Sequence, residues 1–253
     1  MSAHTDTGGD ASLHERRRAA ALGELPRWYS PTLHLVIPGL IGLAVMIAAA
    51  SRIHGLAAIE LVTVPVTLVF ALGFEWRVHQ LVLHRRTPLL ETLYERHELH
   101  HHVVYTYDDM RMRSRDEYRL VLMPAYGIVL SGIVDAPIVL LLSWLAGTNV
   151  AALFLVTSMV FFLSYEWLHL AYHLPEDSFV GRLRIIAWMR EHHRRHHDPR
   201  LMKRWNFNVT IPLFDWIHGA TWTPAREAER AARRERRAAA AASRAPLADE
   251  GRS

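Results

Sequence analysis

The chain has 253 residues, a formal net charge of +4 and no cysteine. The missing cysteines exclude disulfides, thiolate metal sites, iron–sulfur clusters and thiol nucleophiles. The modest basic excess lies beside apolar runs, which argues for membrane orientation over nucleic-acid binding.

Residues 1–25 are polar, contain the run Arg16-Arg17-Arg18 and lack the apolar stretch of a signal peptide, so a disordered segment is expected there. Trp28 and Tyr29, between Pro26 and Pro31, suit the headgroup level of a bilayer. Leu33 to Ala50 is almost uninterruptedly apolar, and such a run spans the ~30 Å hydrocarbon core at ~1.5 Å per residue. A second span runs from Leu56 to about Trp76, with Pro65 as a candidate kink. Residues 77–119 are polar and basic. The third span, Leu120 to Ala146, is interrupted by Pro124, Asp135 and Pro137, and a bend is expected. Gly147 to Asn149 form a tight turn, and the fourth span runs from Val150 to about Trp167. A second polar segment fills 174–224. Residues 225–253, rich in Ala, Arg and Glu, predict a solvated helix that frays into disorder.

Residues 26–224 thus form one membrane-embedded domain. The turns at 51–55 and 147–149 hold a single arginine, Arg52, and the positive-inside rule then places both termini and the polar segments in the cytoplasm. The expected fold is all-α: four transmembrane helices in two hairpins, with a cytoplasmic helical cap.

Seventeen histidines are present, and ten form four clusters: His79 and His84; His97, His100 and His101; His169 and His173; His193, His196 and His197. Offsets of three and four are neighbours on a helix face, and neutral imidazole is a directional metal ligand. Clusters abutting span ends are hard to explain as incidental, because ionisable groups near a membrane are costly. Ten imidazoles suit two ions with open positions. An all-nitrogen donor set admits iron, copper, nickel or zinc, and affinity order favours zinc over iron, so zinc can substitute in a purified sample. Glu75, four residues before His79, and Glu166, three before His169, are candidates to orient those rings. His102 and His192 duplicate their clusters and read as spares.

These pieces, His79-Gln-Leu-Val-Leu-His84, His97-Glu-Leu-His100-His101, His169-Leu-Ala-Tyr-His173 and His193-Arg-Arg-His196-His197 with the downstream Asn206-Phe-Asn-Val-Thr-Ile-Pro-Leu-Phe-Asp215 and Gly219, resemble the fatty acid hydroxylase / sterol desaturase superfamily of membrane di-iron oxygenases, nearest its fatty-acid 2-hydroxylase branch. The similarity covers roughly residues 70–222. It implies two iron ions held by the ten histidines, with Asn208 and Asp215 as supporting residues. It also implies a monooxygenase reaction, the hydroxylation of a lipid by dioxygen. The fused cytochrome b5 domain of some relatives is not expected in 25 polar residues, and His218 stands where relatives often carry an aromatic residue. With no Gly-rich dinucleotide loop and no cysteine, electrons are expected from a separate ferredoxin or cytochrome with its reductase. The alternatives are a lipid or sterol desaturase on the same fold and a membrane metal-binding or transport protein without redox turnover.

Overall fold

A computed structural model describes residues 7–124 and 126–242. Among these residues every element is helical, apart from an isolated bridge between Thr106 and Asp109. The chain forms α1 (Thr7–Gly23), α2 (Pro31–Ala50), a 3-10 turn (Ala58–Val62), α3 (Thr63–Val78), a π-helical turn (His79–Leu83), α4 (Glu91–Tyr94), a second π-helical turn (Glu95–His101) and α5 (His102–Val104). There follow α6 (Tyr118–Val121), α7 (Gly127–Leu145), α8 (Thr148–His173), α9 (Arg184–His196), α10 (Leu213–Ile217) and α11 (Pro224–Ala242).

Four helical stretches are long and apolar enough to cross a membrane: Pro31–Ala50, Ala58–Leu83, Gly127–Leu145 and Thr148–His173. α2 starts where Ser30 accepts a hydrogen bond from the Leu33 amide and Pro31 opens the helix, which satisfies one orphan donor and removes another. Pro65 lies in the first turn of α3, where a missing N–H costs nothing, so it marks the helix start and not a kink. The expected third span is divided. Pro124 stops helix formation after α6, and α7 begins at Gly127. The fourth span extends beyond Trp167 to His173 as one helix.

α8 is the common partner, packing against α2, α3 and α7. A Cβ on Gly42 of α2 would sit 2.9 Å from Leu163 Cδ1 of α8, so a larger residue there would require the Leu163 side chain to move. Gly147, at φ +93°, makes the turn between α7 and α8. Asn149 then ties the two interhelix turns together, accepting from the His54 amide at 3.0 Å and donating to the His54 carbonyl at 2.9 Å and Glu60 at 3.0 Å. The outward faces are apolar: Leu40, Val66, Ile133 and Leu140 are all exposed, as lipid-facing positions are.

The N-terminal segment, expected without structure, carries α1 from Thr7 to Gly23. The physical reason is a buried ion pair: Arg18 reaches Glu117 and, at 3.1 Å, Asp109. Of the C-terminal segment, α11 is a helix as far as Ala242. The fraying expected beyond it, like residues 1–6, lies outside the described residues.

Candidate metal centre

Ten histidines form two buried groups of five. His79, His84, His97, His102 and His196 make one; His101, His169, His173, His193 and His197 make the other. None is more than 8% exposed. Within each group the ligand atoms lie within 4.8 Å of one another. In the first, Nε2 of His79 is 2.9 Å from that of His97, which is 3.0 Å from that of His102, and His84 and His196 meet at 2.9 Å. In the second, His101 Nε2 lies 3.2 Å from those of His169 and His197, and His197 meets His193 at 3.0 Å. Adjacent nitrogens around one ion, at metal–nitrogen distances of about 2.1 Å, are separated by about 3.0–3.4 Å.

Helix winding sorts the histidines. The pairs of the second group, His169/His173 and His193/His197, are four apart on the α-helices α8 and α9. The pairs of the first group, His79/His84 and His97/His102, are five apart, starting in the two π-helical turns, where i and i+5 are the neighbours. His101 and His196 cross over, each joining the other group. This winding also removes His100, which ordinary α-helical spacing places with His97. It is half-exposed, 4.0 Å from Glu24, and His102 occupies the fifth position instead.

The other ring nitrogens identify the proton. Nδ1 of His79, His101, His173, His196 and His197 each meets a backbone carbonyl, of Phe207, Leu120, Met110, Trp205 and Tyr105 respectively. A carbonyl can only accept, so Nδ1 carries the hydrogen and Nε2 presents a lone pair to the centre. His101 and His197 thus face each other at 3.2 Å with two lone pairs and no proton between them. That arrangement is repulsive unless a cation sits among them. His173 Nε2 is likewise buried without a partner. Burial and neighbouring imidazoles hold His97, His102, His193, His196 and His197 well below the ordinary imidazole range. Burial pushes His101 down to about 3. All are neutral near pH 7, the state that binds metal. The donor set fits two metal ions.

The expected supporting residues are buried close by, but each acts one bond further out. Glu75 accepts from the Val209 and Thr210 amides and Thr210 Oγ1. Glu166 accepts from the Met123 amide at 3.0 Å, holding the non-helical strand of chain before α7. Asp215 accepts from the Phe207 and Asn208 amides, Trp76 Nε1 and His192 Nε2. Asn208 bridges the Leu72 carbonyl and the Phe214 amide. These groups fix the loops whose carbonyls orient the histidines. His192 serves Asp215, and His218 stacks on Trp76 with ring centroids 4.5 Å apart; neither joins a group.

Sequence reasoning missed Glu98, the carboxylate that touches a clustered imidazole. It bonds His84 Nδ1 and receives Lys203 Nζ at 3.0 Å. Burial pushes this carboxyl up, but the bonds from His84 and Lys203 outweigh it and hold it low. The available signal was an acid between two histidines in His97-Glu98-Leu99-His100. Because such carboxylate–histidine pairs raise ligand basicity, Glu98→Gln is expected to weaken the first group's metal affinity ~10- to 100-fold and leave the second unchanged. Metal retained per chain after dialysis against graded chelator measures this; equal loss from both groups would refute it.

Among the described residues, openings reach the groups from several sides, the smallest, about 30 Å³, at His97, His101 and His169. An apolar cavity of about 260 Å³ lies between α3, α7 and α8, lined by Phe74, Val78, Phe161, Phe162 and Tyr165, with His79 in its wall. From another side a cleft of about 580 Å³, lined by His84, Arg85, Lys203, Arg204 and Arg230, approaches the first group.

No family model, curated protein or solved structure matches the chain.

Proposed function

We propose that the chain is an integral-membrane di-iron monooxygenase that hydroxylates a lipid, of the fatty acid hydroxylase / sterol desaturase kind, with its metal groups on the cytoplasmic side. The observation that carries this reading is an apolar cavity between spanning helices that ends on His79, a member of the first of two adjacent five-imidazole groups. Bound iron supplies activation of dioxygen for attack on an unactivated C–H bond. The chain's own residues hold the ions by neutral Nε2 lone pairs, with five of the ligands fixed by backbone carbonyls. Phe74, Val78, Phe161 and Phe162 present an apolar chain to His79 and exclude water. The cleft beside His84 gives a separate, polar approach for a ferredoxin or cytochrome carrying electrons.

A desaturase on the same fold is the second reading, since the outcome depends on where the substrate carbon lies. Transport of metal is disfavoured. Transporters place ligands near the midplane of the bilayer, whereas these groups are assembled at the His79 end of α3 and the His173 end of α8 together with residues of the polar segments.

The test is a lipid mass comparison between aerobic hosts expressing the intact chain and His169→Ala. A lipid heavier by one oxygen, absent with the variant, is expected. A lipid lighter by two hydrogens would replace hydroxylation with desaturation. Identical lipid profiles, with iron bound and a reductant system supplied, would overturn the oxygenase reading.

A further inference from the structure

Asp135 is the one charged residue of α7 and stands at the middle of that span. A carboxyl group there is costly and marks function by default. It is 6% exposed and lines the apolar cavity together with Ser158 of α8. Ser158 Oγ donates to Asp135 Oδ2 at 2.7 Å, and among the described residues no other side chain donates to this carboxyl group. One oxygen is therefore engaged and the other retains acceptor capacity beside the cavity. An interhelical bond alone would need only two hydroxyls or an amide, so a carboxyl group exceeds what α7–α8 packing requires.

The surroundings limit what can meet it. Thr67, Phe70 and Phe154 line both this cavity and a larger apolar groove of about 700 Å³ that continues towards Glu60 and Ala146. α3 and α7 each pack on α8, but among the described residues they form no packed pair with each other. The space is thus a slot over α8, flanked by the lipid-exposed Val66, Phe70 and Val134. Ser158 precedes His169 by eleven residues on one continuous helix, a separation of roughly 16 Å along its axis.

Resting on the oxygenase reading, we propose that Asp135, positioned by Ser158, recognises a hydroxyl group of the lipid substrate. The substrate is then an elongated apolar alcohol, not a plain hydrocarbon or an ester lacking a hydrogen-bond donor. Its hydroxyl is held at Asp135, and the carbon presented to the histidine groups lies roughly 16 Å away, about a dozen carbons of an extended chain that advances ~1.3 Å per bond. Asp135 is a positioning and specificity residue, and its distance from the metal groups sets which carbon is presented.

Equilibrium binding separates this from the reaction itself. The probes are hexadecan-1-ol and its methyl ether, which differ in the hydroxyl donor. Each is titrated into the purified full chain, zinc-loaded, in detergent and without oxygen. The intact protein is expected to bind the alcohol ~10-fold more tightly than the ether, the size of one hydrogen bond. Asp135→Leu is expected to bring the ratio to about one with ether affinity unchanged. Ser158→Ala should keep part of the preference, reduced severalfold, because the carboxyl group remains but loses the bond that positions it.

Equal binding of the two probes by the intact protein overturns the proposal, as does a preference that survives Asp135→Leu. A parallel loss of thermal stability and of affinity for both probes in Asp135→Leu would assign the pair to helix packing alone and overturn it too. Asp135→Asn, nearly isosteric, guards against a folding failure: its amide oxygen still accepts from a hydroxyl, so a preference for the alcohol should persist where Asp135→Leu abolishes it. A folded Asp135→Asn that binds both probes equally would also sink it. Because the titration needs neither oxygen nor iron, hydroxyl discrimination there together with identical lipid profiles in the aerobic, iron-loaded host comparison would overturn the oxygenase reading and leave hydroxyl recognition standing.

Discussion

His102→Ala is expected to reduce the metal content from two ions per chain to about one, while His100→Ala retains both. His102 is 5% exposed and its Nε2 lies 3.0 Å from that of His97, inside the first group. Its Nδ1 is buried without a partner, so no hydrogen bond elsewhere fixes the ring. Removing it leaves four imidazoles around a gap in a desolvated site. Loss of an outer hydrogen-bond partner already costs ~10- to 100-fold in metal affinity, and loss of a ligand should exceed that. His100 is half-exposed and faces Glu24, so its truncation should change affinity less than about twofold. Elemental analysis after dialysis, with both variants checked for a retained helical spectrum, decides it. Loss of metal from His100→Ala with retention in His102→Ala would restore the α-helical register and overturn the π-helical one.

Glu117→Leu is expected to destabilise the protein by about 3 kcal/mol, the low end of the cost of breaking a buried ion pair, because Arg18 keeps only Asp109, at 3.1 Å, as a charged partner. Glu117 is 1% exposed and Arg18 4%. Glu117 receives Arg18, the Tyr105 hydroxyl at 2.7 Å, and the Arg113 and Ser114 amides at 2.9 and 3.2 Å. Burial, then the Glu117 charge, pushes the Tyr105 phenol far above its ordinary range, so it stays a donor. Arg18 also stacks over the Tyr105 ring at 5.2 Å. The same segment supplies carbonyls to the second group, from Tyr105 to His197 and from Met110 to His173. The variant should therefore release metal from the second group first, with a lower Tm in detergent. Arg18→Met should cost less, because Glu117 keeps three donors. An unaltered Tm and metal content in Glu117→Leu would show that α1 contributes nothing to the cap.

Much of the fold was legible because apolar blocks of bilayer length have few alternatives. The four spans follow from Leu33–Ala50 and its counterparts, and the histidine clusters from offsets of three and four. Their boundaries were less legible. Pro124 divides a continuous apolar run, whereas the i,i+4 spacing of His169 and His173 already marked the helix that continues the fourth span. The order of residues 7–23 was hidden for a different reason: α1 is held by Arg18 against Glu117, 99 residues away.

By itself, the sequence determined the all-helical class, the spanning segments, and a cysteine-free, imidazole-only donor set, because composition and short-range periodicity are local properties. Only the tertiary structure decided how those donors divide. Two π-helical turns change the winding by one residue per turn, which exchanges His100 for His102, while His196, on the regular helix α9, reaches across to the first group. Tertiary contact likewise gave Glu75, Glu166 and Asp215 to loop amides and set the ring N–H groups of five of the histidines against backbone carbonyls. A carbonyl is present at every residue, so no sequence pattern can say which one a distant imidazole will meet.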